Sequence, residues 1–328
     1  MQRNGLIRKG IALGLFALLF SGDVLADEPF SGVSFYLDND SRTLKPNHKT
    51  DRHYTNGTKI VYLFQPDWNW LNDFSDWDAA GSDESVDTVA GLFFGQNIYT
   101  PDHVDNPQKR KPKDMVFAGW LYTGLFAQRA TQDKLDHIEL SIGVIGPSSK
   151  AEQVQKCIHR MLGSDPPIGW EDQLSDEPAA DLTYMRQERW LDGWLKPTEK
   201  TDVIVEYGVT AGSVHLNAQA GVTFRYGFNL GKTFGPGRLD LPSGISTLRK
   251  RDEVKSGYLF ARASAIGVQY NRFLSGLQPE PLVGEFQVGA VYHYKKLDIG
   301  YSQTFLTREY KGQSGVDSYG SLTVSWLF

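Results

Sequence analysis

The chain has 328 residues, of which 40% are hydrophobic, and it carries a formal net charge of −5. Nucleic-acid binding is disfavoured, because proteins of that class usually present a basic surface. The single cysteine, Cys157, excludes an intramolecular disulfide and argues against a zinc–cysteine site.

Residues 1–26 have the pattern of a secretory signal peptide. Arg3, Arg8 and Lys9 precede the apolar run IALGLFALLF at 11–20, and small residues at 24–26 suit cleavage. The run is too short to span a bilayer as a helix, and no later segment reaches the ~20 apolar residues that a transmembrane helix needs. No Pro/Ser/Gly-rich linker divides the remainder, so we predict one exported domain at residues 27–328.

Strict alternation of apolar and polar residues recurs along this domain. It is clearest at 137–145, 216–228 and 321–328. A soluble β-sandwich also alternates, but these segments are ~9–14 residues long, near the length that crosses a membrane at a tilt. Aromatic residues cluster toward strand ends, as in an interfacial girdle. The last strand ends at Phe328, which resembles outer-membrane barrels that are recognised by the barrel-assembly machinery.

Counting these segments predicts an all-β fold, a twelve-stranded antiparallel transmembrane β-barrel. The strands are expected near 31–38, 54–65, 88–98, 116–129, 135–145, 179–194, 200–211, 215–228, 256–268, 283–294, 297–308 and 318–328. An even number places both termini on the periplasmic side, and closure removes the sheet edges that lipid cannot satisfy. The stretches 66–87 and 229–255 are long for periplasmic turns, so either they hold extra structure or the count is wrong by one hairpin.

The first three external connections are then 39–53, 99–115 and 146–178, and they hold most of the unusual polar chemistry. Asp38 and Asp40 flank Asn39, so alternation predicts both acids on one side of the strand. Paired carboxylates suit a hard cation such as calcium, and the alternative is a solvated loop start. Thr55 is either part of this site or a β-branched residue that starts a strand.

The second connection contains the basic run QKRKPKD, with Lys109 and Arg110. Such a run is usually a solvated face, yet at the outer surface of an acidic protein it would meet phosphorylated glycolipid. Guanidinium and ammonium groups pair with phosphate. Both interpretations stay open from the residues alone.

The third connection contains a predicted helix. Ser148 or Ser149 is expected to cap its start, and Gly163 with Pro166 to end it. Its apolar stripe and its polar face are neighbours through the spacings i+3 and i+4. The stripe comprises Val154, Ile158, Met161 and Leu162, and the polar face comprises Glu152, Gln155 and His159.

His159 lies at the border between these two faces. It is either a structural histidine or a base that takes a proton from water, for which a near-neutral pKa is suitable. Asp165, about one and a half turns further on, is a candidate to fix the tautomer of its ring. The sequence has no G-x-S-x-G or H-E-x-x-H motif. Cys157 points about 200° away from His159 on a helix, so it is a poor nucleophile.

Several motifs along the chain form a set that resembles one known family. They are DND (38–40), TDRHYTNG (50–57), QNIYTP (96–101), KRKP (109–112), FAGWLY (117–122), IGVIGPSSKAEQVQKCIHRMLG (142–163), GWEDQL (169–174) and TREYKGQ (307–313). In this order they resemble the LpxR family of outer-membrane lipid A 3′-O-deacylases, and the likeness covers essentially the whole domain.

The resemblance implies a twelve-stranded barrel, dependence on calcium, and hydrolytic removal of the 3′-linked acyloxyacyl group of lipid A in the outer leaflet. By position it assigns catalytic roles to Asn39, Asp40, Thr55 and His159. It assigns binding of sugar or phosphate to Lys109 and Arg110. A glutamate of some members falls on Asp165 here, which is one methylene shorter.

We therefore predict that His159 removes a proton from water, which attacks the ester carbonyl. A calcium ion held by Asp40 and nearby carbonyls would stabilise the oxyanion, with Asn39 and Thr55 orienting ligands or donating hydrogen bonds. The expected partners are lipopolysaccharide and other outer-membrane lipids. An outer-membrane phospholipase A is the alternative enzyme, and a non-catalytic porin or adhesin barrel is the alternative of another class.

Overall fold

Twelve antiparallel strands form a closed barrel in which β1 pairs with β12, as predicted. The strands are β1 (Ser31–Asn39), β2 (His53–Phe64), β3 (Asp87–Thr100), β4 (Ala118–Ala130), β5 (Lys134–Ile145), β6 (Glu177–Arg189), β7 (Thr201–Gly212), β8 (His215–Phe228), β9 (Lys255–Asn271), β10 (Leu282–Tyr294), β11 (Leu297–Leu306) and β12 (Asp317–Leu327). The sheet closes at this count, without a further hairpin.

The computed structural model describes residues 31–41, 51–66, 87–110, 113–190, 197–231, 233–235 and 255–328. The predicted signal peptide and most of the stretches 66–87 and 229–255 lie outside these residues. The helices in the described part of the chain are all too short or too polar to pass through a bilayer.

The barrel wall is apolar outside and polar inside, the reverse of a soluble protein. On β8, Phe224 and Tyr226 are exposed while Thr223 and Arg225 are buried, as the alternation predicts. On β3, Leu92 and Phe94 are each 55% exposed. Because large apolar side chains cover the outer face of these strands, the outer wall is suited to contact with lipid hydrocarbon rather than with water.

The lumen is crossed by ion pairs between buried side chains. Arg262 lies between Glu206 and Glu285, each of which accepts a hydrogen bond from it. Asp202 likewise binds two guanidinium groups, those of Arg189 and Arg225. Because a buried charge is costly unless it is paired, these pairs allow a polar interior to pack. At the positions of these ion pairs, side chains therefore fill the described part of the lumen.

One helix, α1 (Ala151–Leu162), lies against the outer wall. It follows β5, and its start rests on β4, where a Cβ on Gly119 would lie 2.2 Å from both the Ala151 Cβ and the Ser149 Oγ. Gln96 on β3 donates from Nε2 to the Ser149 carbonyl at 2.7 Å. A glycine is needed here because the helix approaches the backbone of the strand.

The predicted cap of this helix is wrong, and the predicted end is confirmed. Lys150, in a left-handed conformation, occupies the N-cap position that was predicted for Ser148 or Ser149. Ser149 lies one residue earlier, and its Oγ accepts a long hydrogen bond of 3.4 Å from the Ala151 N–H. Ser149 instead belongs to a short 3-10 turn and donates from Oγ to the Gly146 carbonyl at 2.6 Å. At the other end Gly163 is left-handed and its N–H bonds to carbonyls of the last turn, as glycine readily does.

Candidate active site on the outer wall

The predicted site residues lie at the barrel end that follows β1, β3 and β5, here called the loop end. Asn39 and Thr55 belong to strand ends there, and the others belong to the connections. β1 stops at Asn39, and Asp40 follows in a turn. The Asp40 N–H donates to the Thr55 carbonyl at 3.1 Å, and Asp40 Oδ2 accepts from the Arg52 N–H at 2.9 Å. Burial raises the pKa of Asp40 well above its usual range, and the nearby Asp51 charge adds to this.

Alternation predicts that Asp38 and Asp40 point to one side of the strand, and in the structure β1 ends at Asn39, between the two acids. Asp38 accepts from the Tyr54 hydroxyl at 3.0 Å on the lumen side, where Tyr54 lines the internal cavity. The Asn39 amide oxygen accepts from the Ser41 N–H at 2.9 Å. Asp38 and Asp40 therefore have separate partners.

An irregularity in the β2–β3 ladder decides the direction of Thr55. Tyr54 pairs with Tyr99 and Asn56 pairs with Ile98, so Thr55 is an extra residue without a register partner. Its Oγ1 lies 2.7 Å from the hydroxyl of Thr100, which alternates with the lumen-facing Tyr99. An extra residue in a ladder re-aims side chains in this way. Thr55 is thus placed on the outer side of the wall.

His159 on α1 contacts oxygen atoms through both ring nitrogens. Its Nε2 lies 3.1 Å from Asp51 Oδ1, and its Nδ1 lies 2.6 Å from the backbone carbonyl of Asp165. The expectation that the Asp165 carboxylate fixes the tautomer is therefore replaced by a backbone contact. Since a carbonyl only accepts, Nδ1 is the donor, and Nε2 is the nitrogen that faces the carboxylate. The histidine side chain is 11% exposed.

Gln155 holds this contact in place. It donates from Nε2 to Asp51 Oδ1 at 2.7 Å and accepts from Trp170 Nε1 at 2.9 Å. Trp170 belongs to a buried apolar cluster that ties the second and third loops to the outer wall. The members of that cluster are Ile98, Val104, Phe117, Ala151 and Trp170.

Asp51 connects the two halves of the site. Its carboxylate contacts His159, and its own backbone, with that of Arg52, bonds to the Asp40 carboxylate. The structure thus gathers Asp40, Thr55 and His159 around the segment that leads into β2. Asp51 stood in a motif that we recognised, but no local spacing links it to a histidine 108 positions away. Sequence reasoning therefore missed it.

The two basic residues of the second loop differ in their surroundings. Lys109 is exposed at the end of a short 3-10 helix. Arg110 donates to the carbonyls of His103 and Ile168 and lies 5.1 Å from the centre of the Phe117 ring. Arg110 therefore holds the second loop against the third, and a role for both in substrate binding stays a prediction.

The donor set at Asp40 fits a hard cation. Its carboxylate is buried close to the Asp51 carboxylate, an arrangement in which two like charges raise the cost of ionisation. Within the described ranges no three His, Cys, Asp or Glu side chains converge as metal ligands. Any calcium held here would therefore need carbonyl, amide, hydroxyl or water oxygens as well, which calcium accepts.

A second histidine cluster, also missed, lies at the same end on the lumen side. His53 Nδ1 lies 2.5 Å from Asp317 Oδ2, and Nε2 lies 3.3 Å from Asp114 Oδ1. The Tyr310 hydroxyl donates to Asp114 at 2.8 Å. Burial disfavours ionisation of Asp114, but the hydrogen bonds from His53 and Tyr310 outweigh it and lower its pKa to about 2. This cluster joins three loops.

A cavity of about 160 Å³ lies in the lumen below that cluster, and its lining includes Tyr54, Trp120 and Asp181. It is lined by neither Asp40 nor His159, so this internal cavity is separate from the predicted chemistry. The candidate site faces the opposite side of the wall.

A closed barrel with an apolar outer wall and a loop-borne polar site on that wall defines an integral outer-membrane β-barrel protein. The family described as Outer membrane protein LpxR matches residues 12–328. The chain therefore belongs to the LpxR family, and the predicted family is confirmed.

The chain is similar to several solved structures. LpxR from Salmonella typhimurium superposes with a TM-score of 0.69 at 23% identity, covering 90% of this chain and all of that one. Weaker likenesses include the β domain of the Bordetella autotransporter BrkA, with a TM-score of 0.43, 10% identity and coverage of 92% of this chain and 98% of that one. The NalP translocator domain from Neisseria meningitidis scores 0.42 at 10% identity, covering 93% of this chain and 90% of that one. No curated protein matched the sequence.

Proposed function

We propose that this protein is a calcium-dependent lipid A 3′-O-deacylase, a carboxylic ester hydrolase with its site facing the outer leaflet. The observation that carries the proposal is the contact of His159 with Asp51 on the apolar outer wall, next to the buried Asp40 carboxylate. An ester of a membrane lipid can reach that side of the wall without leaving the leaflet. Membership of the LpxR family supports the choice of lipid A as substrate.

Proton transfer is assigned to His159. With Nδ1 donating to the Asp165 carbonyl, Nε2 is the ring nitrogen that can take a proton. A water molecule that enters between Nε2 and the Asp51 carboxylate, which are in direct contact in the structure, would donate to both and lose its proton to Nε2. The water oxygen forms a bond to the ester carbonyl carbon. When the tetrahedral intermediate collapses, the bond between the acyl carbon and the sugar oxygen breaks. The leaving alkoxide then takes the proton from Nε2. The products are a free carboxylic acid and a 3′-hydroxyl group.

Asp51 also stabilises the imidazolium that forms between these two proton transfers, since an adjacent carboxylate favours the charged ring. Asp40 and Asp51 would hold the calcium ion, with Asn39 and Thr55 supplying or orienting neutral oxygen ligands. Bound there, the cation would polarise the ester carbonyl and offset the charge that develops on its oxygen.

Exposed Lys109 is assigned to the lipid A phosphate, where an ammonium acts as a point charge. Arg110 contributes chiefly by keeping the second loop in place.

The test is mass spectrometry of lipid A from cells that carry the parent chain, His159→Ala or no chain. We expect the loss of one acyloxyacyl group only with the parent chain. Purified protein offered lipid A and glycerophospholipid together separates this function from a phospholipase A by the acid released. Release from phospholipid alone would refute the proposal.

A further inference from the structure

Helix α1 has the polarity of a membrane-facing helix. Its side toward the wall buries Ala151 and the polar Gln155, whereas Met161 and Leu162 are 77% and 73% exposed. A helix on the surface of a soluble domain places its apolar residues against the core. The predicted apolar stripe thus exists, but at its C-terminal end it points outward.

The two flanks of the helix differ in chemistry. At about 100° per residue, Val154, Ile158 and Met161 follow one another along one flank. Val154 packs against the buried cluster that contains Trp170, whereas Met161 is exposed. His159 lies on the other flank, beyond the buried line of Ala151 and Gln155. The polar flank meets Asp51, so the apolar flank is turned away from the candidate site.

This apolar flank continues the outer wall of the barrel. The helix starts where Gln96 and Gly119 contact Ser149 and Ala151. The next outward residue on β3 is Phe94, two positions away, or about 7 Å along a strand, and it is 55% exposed. Along this strand Gln96, which bonds to the Ser149 carbonyl, is the outward residue between Phe94 and the helix.

We propose that Ile158, Met161, Leu162 and Ile168 form a membrane-contact surface, here called the helix stripe. Its partner is the hydrocarbon of the surrounding lipid leaflet. Ile168, on the return of the third loop, adds a side chain that is 47% exposed. The helix then lies in the interfacial plane with its apolar flank in the acyl chains, as amphipathic helices do. The inference goes beyond ester hydrolysis, because it follows from polarity and position alone.

Site-directed spin labelling tests this contact, because Cys157→Ser removes the only cysteine in the chain. A nitroxide is attached at Met161→Cys, with Gln153→Cys, exposed on the same helix, as the matched control. The labelled barrels are reconstituted in phosphatidylcholine vesicles, and collision with oxygen, which enriches in hydrocarbon, is compared with collision with an aqueous nickel chelate. We expect the oxygen-to-nickel ratio at 161 to exceed that at 153 severalfold.

Equal ratios at the two positions would overturn the proposal. A label at 161 that is shielded from both agents and shows spin–spin broadening would also overturn it, since a second copy of the chain would then cover the stripe. Ile158→Cys repeats the measurement on the same flank, and heat-modifiable mobility in gels verifies that each variant is folded. Lipid A mass spectra of the same variants report separately on the proposed hydrolysis.

Discussion

Two histidines at the loop end contact carboxylates, but on opposite sides of the wall. His53 is 1% exposed and is held by Asp114 and Asp317, with Tyr310 above it. His159 lies on α1 against the outer wall, with an 11% exposed side chain, and among the described residues Asp51 is its carboxylate partner. The difference teaches that a carboxylate neighbour does not by itself identify a base. Access of water and substrate to the ring separates a reacting histidine from one that fastens loops.

Replacing each histidine with alanine is expected to give the largest difference between the two sites. We expect His159→Ala to lower the deacylation rate by about 10²- to 10⁴-fold, because it removes a positioned base, while the loop end stays ordered. His53→Ala should instead loosen the loops, because it leaves Asp114 and Asp317 short of a donor. Rates on purified lipid A and hydrogen exchange of the loop amides measure the two effects. A fully active His159→Ala would contradict the assignment.

The two acids that flank Asn39 are expected to differ in their effect on the calcium requirement. We expect Asp40→Asn to raise the calcium concentration for half-maximal activity by about tenfold or more, whereas the matched Asp38→Asn, whose partner is Tyr54 on the lumen side, should leave it unchanged. Activity is titrated with calcium after removal of metal with EGTA. Full activity in EGTA, or equal effects of the two substitutions, would show that the cation is not held at Asp40.

Substitutions of Asp51 and Asp165 test which of the two carboxylates assists His159. Asp51→Asn keeps the shape but removes the charge beside Nε2, so we expect a loss of roughly 10- to 100-fold, the value of a hydrogen bond to a charged group. Asp165→Asn should be close to the parent, because only its backbone carbonyl contacts the ring. The kcat for each variant on lipid A decides the point. The reverse ranking would restore a role for the Asp165 carboxylate.

We expect acid to destabilise the cluster of His53, Asp114 and Asp317, with a smaller effect than those above. The pKa of Asp114 is about 2 in the folded protein against 3.8 as its ordinary value, so its contribution is complete above about pH 4 and is lost as the pH falls toward 2. We expect about 1–2 kcal/mol, allowing for screening by solvent. Protection factors of the Asp102 and Met115 amides, which donate to Asp114, measure it. In Asp114→Asn they should be lower at neutral pH and insensitive to this range.

The barrel could be predicted from the sequence because its pattern is local. Alternation over one strand, as at Phe224 and Arg225, already states which side chain faces lipid. The even count and the edge-free requirement then give the closed topology. The end of α1 was also readable, since Gly163 carries its own signal.

The site was less predictable, because it depends on contacts between distant residues and on breaks in the pattern. His159 and Asp51 are brought together only by the packing of the third loop on the wall. Asp38 and Asp40 have different partners, and β1 ends at Asn39, between them. The start of α1 followed a left-handed Lys150 instead of a serine cap. None of these events has a signature in the neighbouring sequence.

The irregular step between Tyr54 and Asn56 has a consequence for how this enzyme would tolerate change. One additional residue in β2 lets the chain present Tyr54 to the lumen and Thr55 to the opposite surface. Deletion of Tyr54 would let Thr55 pair with Tyr99 in a regular ladder, so the barrel could still close while the threonine turned to the lumen. Successful assembly and competence in chemistry are thus specified by different residues, and a screen for correctly inserted barrels would be blind to this loss.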